Sequence, residues 1–86
     1  MECISGPHHG FYIASYASES GVPTEGFLGY AKICRRRPES YWDANCLVKI
    51  CGEGLHADPQ RAIQEVQQRA LEQLNDLLPA SATAVA

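Results

Sequence analysis

The sequence has no apolar run near the ~20 residues that a membrane span requires, and residues 1–10 show neither a basic start nor an apolar stretch. The first absence predicts a chain without a transmembrane helix, and the second predicts no secretory signal. A cytoplasmic setting is therefore expected, with Cys3, Cys34, Cys46 and Cys51 as reduced thiols. No C-x-x-C knuckle occurs, and the strand pattern below gives Cys46 and Cys51 opposite parity, so His8, His9, His56 and the cysteines do not form a metal set. Gly52-Glu53-Gly54 lacks the third glycine and the lysine of the phosphate-binding loops. No motif sets a nucleophile beside a base. The expectation is a protein that is not an enzyme, with no catalytic residue, cofactor or metal. Excess charge is missing too: the net charge is −3, which opposes strong binding to a polyanion.

What is present organises around the stretch Asp58–Leu78. Asp58 is suited to cap a helix and Pro59 to occupy its first position, where the missing N–H costs nothing. Ile63, Val66, Ala70, Leu74 and Leu77 recur at steps of three and four, and Ala62, Leu71 and Leu78 widen that stripe. Gln60, Gln64, Gln67, Gln68, Glu72, Gln73 and Asp76 fill the opposite side. Arg61, Glu65 and Arg69 stand at i,i+4 and should support one another. Pro79 ends the pattern. A rod of roughly 30 Å is predicted, with one face that needs a partner surface.

The preceding residues supply that surface as strands. Residues 1–9 read as a lead-in because of Gly6, Pro7 and the paired histidines. Phe11–Ala17, Phe27–Arg35 and Trp42–Cys51 alternate with period two, separated by a loop over 18–26 and a turn at Pro38-Glu39-Ser40. The predicted fold is α+β: a three-stranded antiparallel meander packed on one C-terminal helix, β-β-β-α. It occupies a single domain over residues 1–79, followed by a disordered tail over 80–86. A chain of 86 residues buries only about 60–65% of the surface it exposes unfolded, so a thin core is expected. Phe11, Ile13, Phe27, Ala31, Ile33, Cys46, Val48 and Ile50 should face the helix. With Arg37 near Trp42, Ile33 would face Cys46, Ala31 would face Val48, Gly29 would face Ile50 and Tyr30 would face Lys49. Tyr12 would lie opposite Tyr30. Gly29 should be small because the helix or a large side chain comes close there.

The outer face then carries Tyr12, Tyr16, Leu28, Tyr30 and Leu47, more apolar than a solvated face needs. Burial against a second copy or another protein explains this best, with Tyr12, Leu28, Tyr30, Leu47 and Lys49 as contacts and the molecule a homodimer. The alternative is nucleic acid, stacking on the tyrosines and meeting Lys32, Arg35, Arg36 and Arg37 through phosphate. Residues 25–51 are net positive and the helix is net negative, which gives the molecule a basic and an acidic side.

Two resemblances add to this reading. Gly6, Pro7 and His9 in GPHHGF, followed by strands and DPQRAIQEVQQRALEQL from Asp58, are similar to the later part of double-stranded-RNA-binding domains. Those domains carry a Gly-Pro-x-His loop and a lysine-led final helix. Here the motif precedes the first predicted strand, and Pro59, Gln60 and Arg61 stand at the helix start, so only Arg61 keeps a phosphate-binding charge. Asp58, Ala62 and Ile63 also fit the helix start of the β-β-β-α module of HicB-type antitoxins, and of short proteobacterial domains of similar pattern. That resemblance covers residues 10–78 and implies a small partner-binding or dimerising domain.

Overall fold

The structure is a computed structural model that describes residues 1–19, 26–43 and 46–77. Among these the chain forms strands β1 (Glu2–His8), β2 (Phe11–Glu19), β3 (Phe27–Cys34) and β4 (Val48–Cys51), then helix α1 (Pro59–Leu77). The strands make one antiparallel sheet in the order β1-β2-β3-β4. The α+β class and the C-terminal helix match expectation, but the sheet has a fourth strand. Leu78, Pro79 and the expected tail lie outside the described residues, as do most of the 18–26 loop and positions 44 and 45 of the expected third strand.

The extra strand is the segment read as a lead-in. His9 (φ 52°) and Gly10 (φ 86°) both adopt left-handed backbone, so His8 and Phe11 close a two-residue hairpin. The Gly-Pro-x-His segment therefore forms the end of β1 and the first turn residue rather than preceding the first strand. Gly6 and Pro7 fall where the ladder register shifts between Ser5 and His8, which is how an apparent breaker is accommodated at a sheet edge.

Asp58 caps the helix as its sequence position suggests. Its Oδ1 accepts the Gln60 N–H at 2.9 Å, and its carbonyl accepts those of Arg61 and Ala62. The stripe Val66, Ala70 and Leu74 packs on Ile13, Ala31 and Ile33, with Phe11, Val48, Ile50 and Leu71 around it. A second cluster joins Ala17, Ala62 and Ile63, with Phe27 against it. The helix comes close to the sheet at Gly29, where an added Cβ would collide with the Ala62 carbonyl oxygen and lie 2.8 Å from Val66 Cγ1. That closeness is the reason expected for glycine at this position.

The registers differ from expectation by even steps. Ile33 pairs with Val48 rather than Cys46, and Ala31 pairs with Ile50 rather than Val48. Tyr30 pairs with Cys51 and, on its other side, with Tyr16 rather than Tyr12. Every shift preserves parity, so the buried and outer sets keep their faces. Cys46 lies ahead of β4 and is half-buried, so it is not a strand core residue. The expected third strand is cut to four residues because Tyr41 and Trp42 turn back over the sheet. The chain rejoins the ladder only where the Leu47 N–H donates to the Ile33 carbonyl at 2.7 Å.

Ser15 shares the helix-facing side with Ile13 and is fully buried, and its hydroxyl has no hydrogen-bond partner. An unpartnered buried hydroxyl costs roughly 1–3 kcal/mol in protein substitutions. Ser15→Ala is therefore expected to raise the unfolding free energy by about 1 kcal/mol. Urea denaturation reads this directly, and a clear loss of stability would show that the hydroxyl has an internal partner.

The connection from β4 to α1 is fixed by charge rather than by an i,i+4 ladder. Glu65 Oε1 lies 3.0 Å from His56 Nε2, and its Oε2 accepts the Glu53 N–H at 3.2 Å. Arg69 turns to Glu53 at 3.0 Å. Both helix residues thus leave the pairing expected within the helix. Burial alone would raise the Glu65 carboxyl. The hydrogen bonds from His56 and Glu53, with the charges of His56 and Arg69, outweigh it and hold the group below the ordinary carboxylate range. A folded value below the unfolded one stabilises the fold above the ordinary glutamate value, about 4.3. That contribution disappears as pH falls through the lower folded value. Glu65→Gln should accordingly be less stable than the parent at neutral pH and converge with it in acid. Parallel denaturation curves at neutral and acid pH test this, and a gap that stays constant with pH would refute it.

Candidate functional site

Alternation places Tyr12, Ala14, Tyr16, Leu28, Tyr30, Lys32, Cys34, Lys49 and Cys51 on the face away from the helix. This face is not bare. The chain after Arg37 folds across it, and the anchor is Lys32, which is only 8% exposed. Its Nζ donates to the Tyr41 carbonyl at 2.7 Å and lies 4.4 Å from the Tyr41 ring centroid. The Tyr41 N–H donates in turn to Glu2 Oε2 at 3.3 Å. A buried carbonyl requires a donor, and a buried ammonium requires acceptors, so each group satisfies the other.

Tyr41 and Trp42 then pack with Tyr16 as a three-ring cluster. Tyr16 and Tyr41 lie 5.5 Å apart at 30°, while Trp42 meets Tyr16 at 64° and Tyr41 at 89°. Trp42 stays 67% exposed. Beside it runs a groove of about 290 Å³ lined by Tyr16, Ser18, Tyr30, Tyr41 and Trp42. Burial pushes the Tyr41 phenol above its ordinary value, with Tyr30, Cys46 and Cys51 acting the same way, so it remains a neutral hydroxyl. Burial likewise raises the Cys34 thiol, Cys46 and Asp43 add to that, and Lys32 opposes it. Cys34 is thus held as a protonated, buried packing group on the outer face, opposite Tyr12. All four cysteines are free thiols.

The residues expected to form the contact surface are spread along this face. Tyr30 lines the groove, and Leu28 is half-buried beside it on β3, opposite Ser18. Tyr12 lies at the other end, half-buried and opposite Cys34. Leu47 is 49% exposed, and Lys49 is exposed across the ladder from Lys32. The residues expected to meet phosphate do not form one patch. Lys32 is engaged beneath Tyr41, while Arg35 reaches the helix side, 5.9 Å from the Phe11 ring. Arg35 and Arg36 line a separate cleft of about 210 Å³ with Cys46 and Leu47, and Arg37 is exposed next to them.

Tyr41, Trp42 and Ser18 are lining residues that strand periodicity does not single out. The available signal was the Tyr-Trp pair directly after a Pro-Glu-Ser turn, since two adjacent aromatics cannot both face the core of one strand. Among the described residues no three of His, Cys, Asp and Glu converge in a metal-holding group, and no helix is long and apolar enough to cross a membrane. A comparison with known proteins finds no matching family model, no matching curated sequence and no matching solved structure.

Proposed function

We propose that this protein is a small interaction module whose working surface is the outer face of its sheet, and that it self-associates there. The observation that carries the reading is Trp42, two-thirds exposed and standing beside a groove walled by Tyr16, Tyr30 and Tyr41. Exposing indole in water forgoes one of the largest single contributions available from burial. A two-fold arrangement would set Trp42 of each copy against the groove of the other, with Leu28 beside it on β3 and Leu47 and Lys49 further along the same face. Lys32 and Glu2 support the surface by fixing the backbone of Tyr41, so the rings are placed before any partner arrives.

Sedimentation equilibrium tests this. The parent is expected to show a dimer that dissociates on dilution. Trp42→Ala, and separately Tyr30→Ala with Leu47→Ser, should weaken association by tenfold or more, about 1.4 kcal/mol, with the far-ultraviolet spectrum unchanged. A parent that is monomeric at all concentrations would end the self-association reading. A dimer indifferent to these substitutions would move the interface elsewhere.

A further inference from the structure

Cys34 points away from the helix, as Tyr30 and Lys32 do, yet only 1% of it is exposed. The chain just ahead of β4 returns beside it. Leu47 and Val48 both meet Ile33: the Leu47 N–H donates to the Ile33 carbonyl, and Val48 is the paired residue. Two residues against one make a β-bulge, which brings Cys46 alongside Cys34. In a trans peptide the N–H lies on the side of the preceding Cα, and the C=O on the side of the following one. The Cα atoms of Cys46 and Cys34 therefore flank the same 2.7 Å hydrogen bond, and standard bond lengths hold them within about 6.5 Å. A disulfide spans Cα separations of about 4.4–6.8 Å. The thiols also sense each other: burial acts first on Cys34, and negative charge on Cys46 comes next, before Asp43 and Lys32.

We propose that Cys34 and Cys46 are a redox pair that closes a reversible disulfide and staples the returning segment to β3. Cys46 takes the first step because it is the reachable member: half-buried, it lines an open cleft with Arg35, Arg36 and Leu47. Hydrogen peroxide is the oxidant. The Cys46 sulfur attacks one peroxide oxygen, the O–O bond breaks, and a sulfenic acid and one water result. The Cys34 sulfur then attacks the Cys46 sulfur. The S–O bond breaks, and the hydroxide leaves with the Cys34 proton as a second water. Two thiols have then lost two electrons and two protons, and one peroxide has become two waters. A dithiol reverses the change by exchange and ends as its own cyclic disulfide. No other two cysteines share a ladder contact, since Cys3 stands opposite Ser15 and Cys51 opposite Tyr30. The closed loop contains Tyr41 and Trp42, so the bond braces two walls of the groove. It forms within a single chain and does not rest on self-association.

The full chain, reduced and then freed of reductant, is treated with a small excess of hydrogen peroxide at low protein concentration. Two of its four thiols should disappear. Trypsin cuts after Lys32, Arg35 and Arg36, so mass spectrometry should find Ile33-Cys34-Arg35 linked to the fragment carrying Cys46. Dithiothreitol should separate the two. The oxidised chain should melt at least about 5 °C above the reduced one, and the reductant should abolish the difference. Cys46→Ser, at a half-buried position, should keep its fold, form no link and melt alike with and without peroxide. A covalent dimer joined through Cys3 or Cys51 in place of the internal link overturns the proposal. So does Cys46 driven to the sulfinic acid while Cys34 stays a thiol, or four intact thiols under peroxide that fully oxidises glutathione in the same solution. A bond that forms without raising the melting temperature overturns its role as a staple. Sedimentation that finds a monomer ends self-association and leaves the linked peptide as evidence for this pair.

Discussion

Gly29→Val is expected to lower the unfolding free energy by about 3 kcal/mol or more, the largest effect of any single change considered for this fold. Gly29 lies on the helix-facing side of β3, opposite Ala17, at the point where α1 crosses the sheet. A Cβ there meets the Ala62 carbonyl oxygen, which belongs to the helix backbone and cannot rotate away, and Val66 Cγ1 at 2.8 Å. Overpacking of a close-packed core costs roughly 1–3 kcal/mol when side chains give way, and more when backbone must move. Here the whole helix would have to lift, loosening Val66, Ala70 and Leu74 from Ile13 and Ile33. At about 4–8 °C per kcal/mol for a domain of this size, the melting temperature should fall by roughly 12–24 °C. Gly54→Ala is the control, since a Cβ there meets nothing within 4 Å, and it should stay within about 0.5 kcal/mol of the parent. Thermal melts of the three proteins by circular dichroism decide the matter. A Gly29→Val protein that melts with the parent would mean the helix does not sit where described.

Lys32→Ala should destabilise by about 2–3 kcal/mol and also disturb the groove. The substitution leaves the Tyr41 carbonyl without the Nζ donor held at 2.7 Å, and a buried polar group stripped of its partner costs about 1–3 kcal/mol. It also removes a cation from the Tyr41 ring and a long aliphatic stem from the outer face. A small opposing gain comes from relieving the Lys32–Lys49 cross-strand repulsion, a few tenths of a kcal/mol. Because Tyr41 is followed directly by Trp42, loosening the first frees the second. Trp42 emission should therefore move to the red and broaden, in addition to the shift in denaturation midpoint. Lys49→Ala, on an exposed side chain in the same row of the sheet, should change neither reading appreciably. If the two lysine variants behave alike, Lys32 is not the anchor of the segment over the sheet.

The two effects differ in how far sequence alone anticipated them. Gly29 was legible because a glycine within an alternating strand, on the parity that faces an amphipathic helix, has few reasons to be there other than close approach. Lys32 was not. Parity put it on the outer face, where a lysine ordinarily reaches water. What covers it is a segment nine residues further on, and nothing local in AKICRRRPESYW specifies that this segment turns back. The aromatic pair Tyr41-Trp42 read naturally as the start of a strand, because aromatics are good strand formers. Burying Tyr41 against Tyr16 and Lys32 was the stronger demand, and it shortened β4 to Val48–Cys51. β1 was missed for the complementary reason. Gly6 and Pro7 break a strand in isolation, yet an edge position with a register shift tolerates both.

The sequence by itself determined the helix from its aspartate cap, the stripe that helix buries, and the face to which each residue of β2, β3 and β4 points. These follow from repeats of 3.6 and 2 residues, which act over one turn or one neighbour and so are written locally. Tertiary structure alone decided which residues stand opposite one another, because a slide of two or four residues leaves every side chain on its own face. It also decided that Glu65 would pair with His56 across the connection rather than with an arginine one turn away. Above all it built the groove, whose walls come from β2, β3 and the returning segment. Contacts between residues so far apart in the chain form only when the folded sheet brings their backbones together, and no periodicity records them.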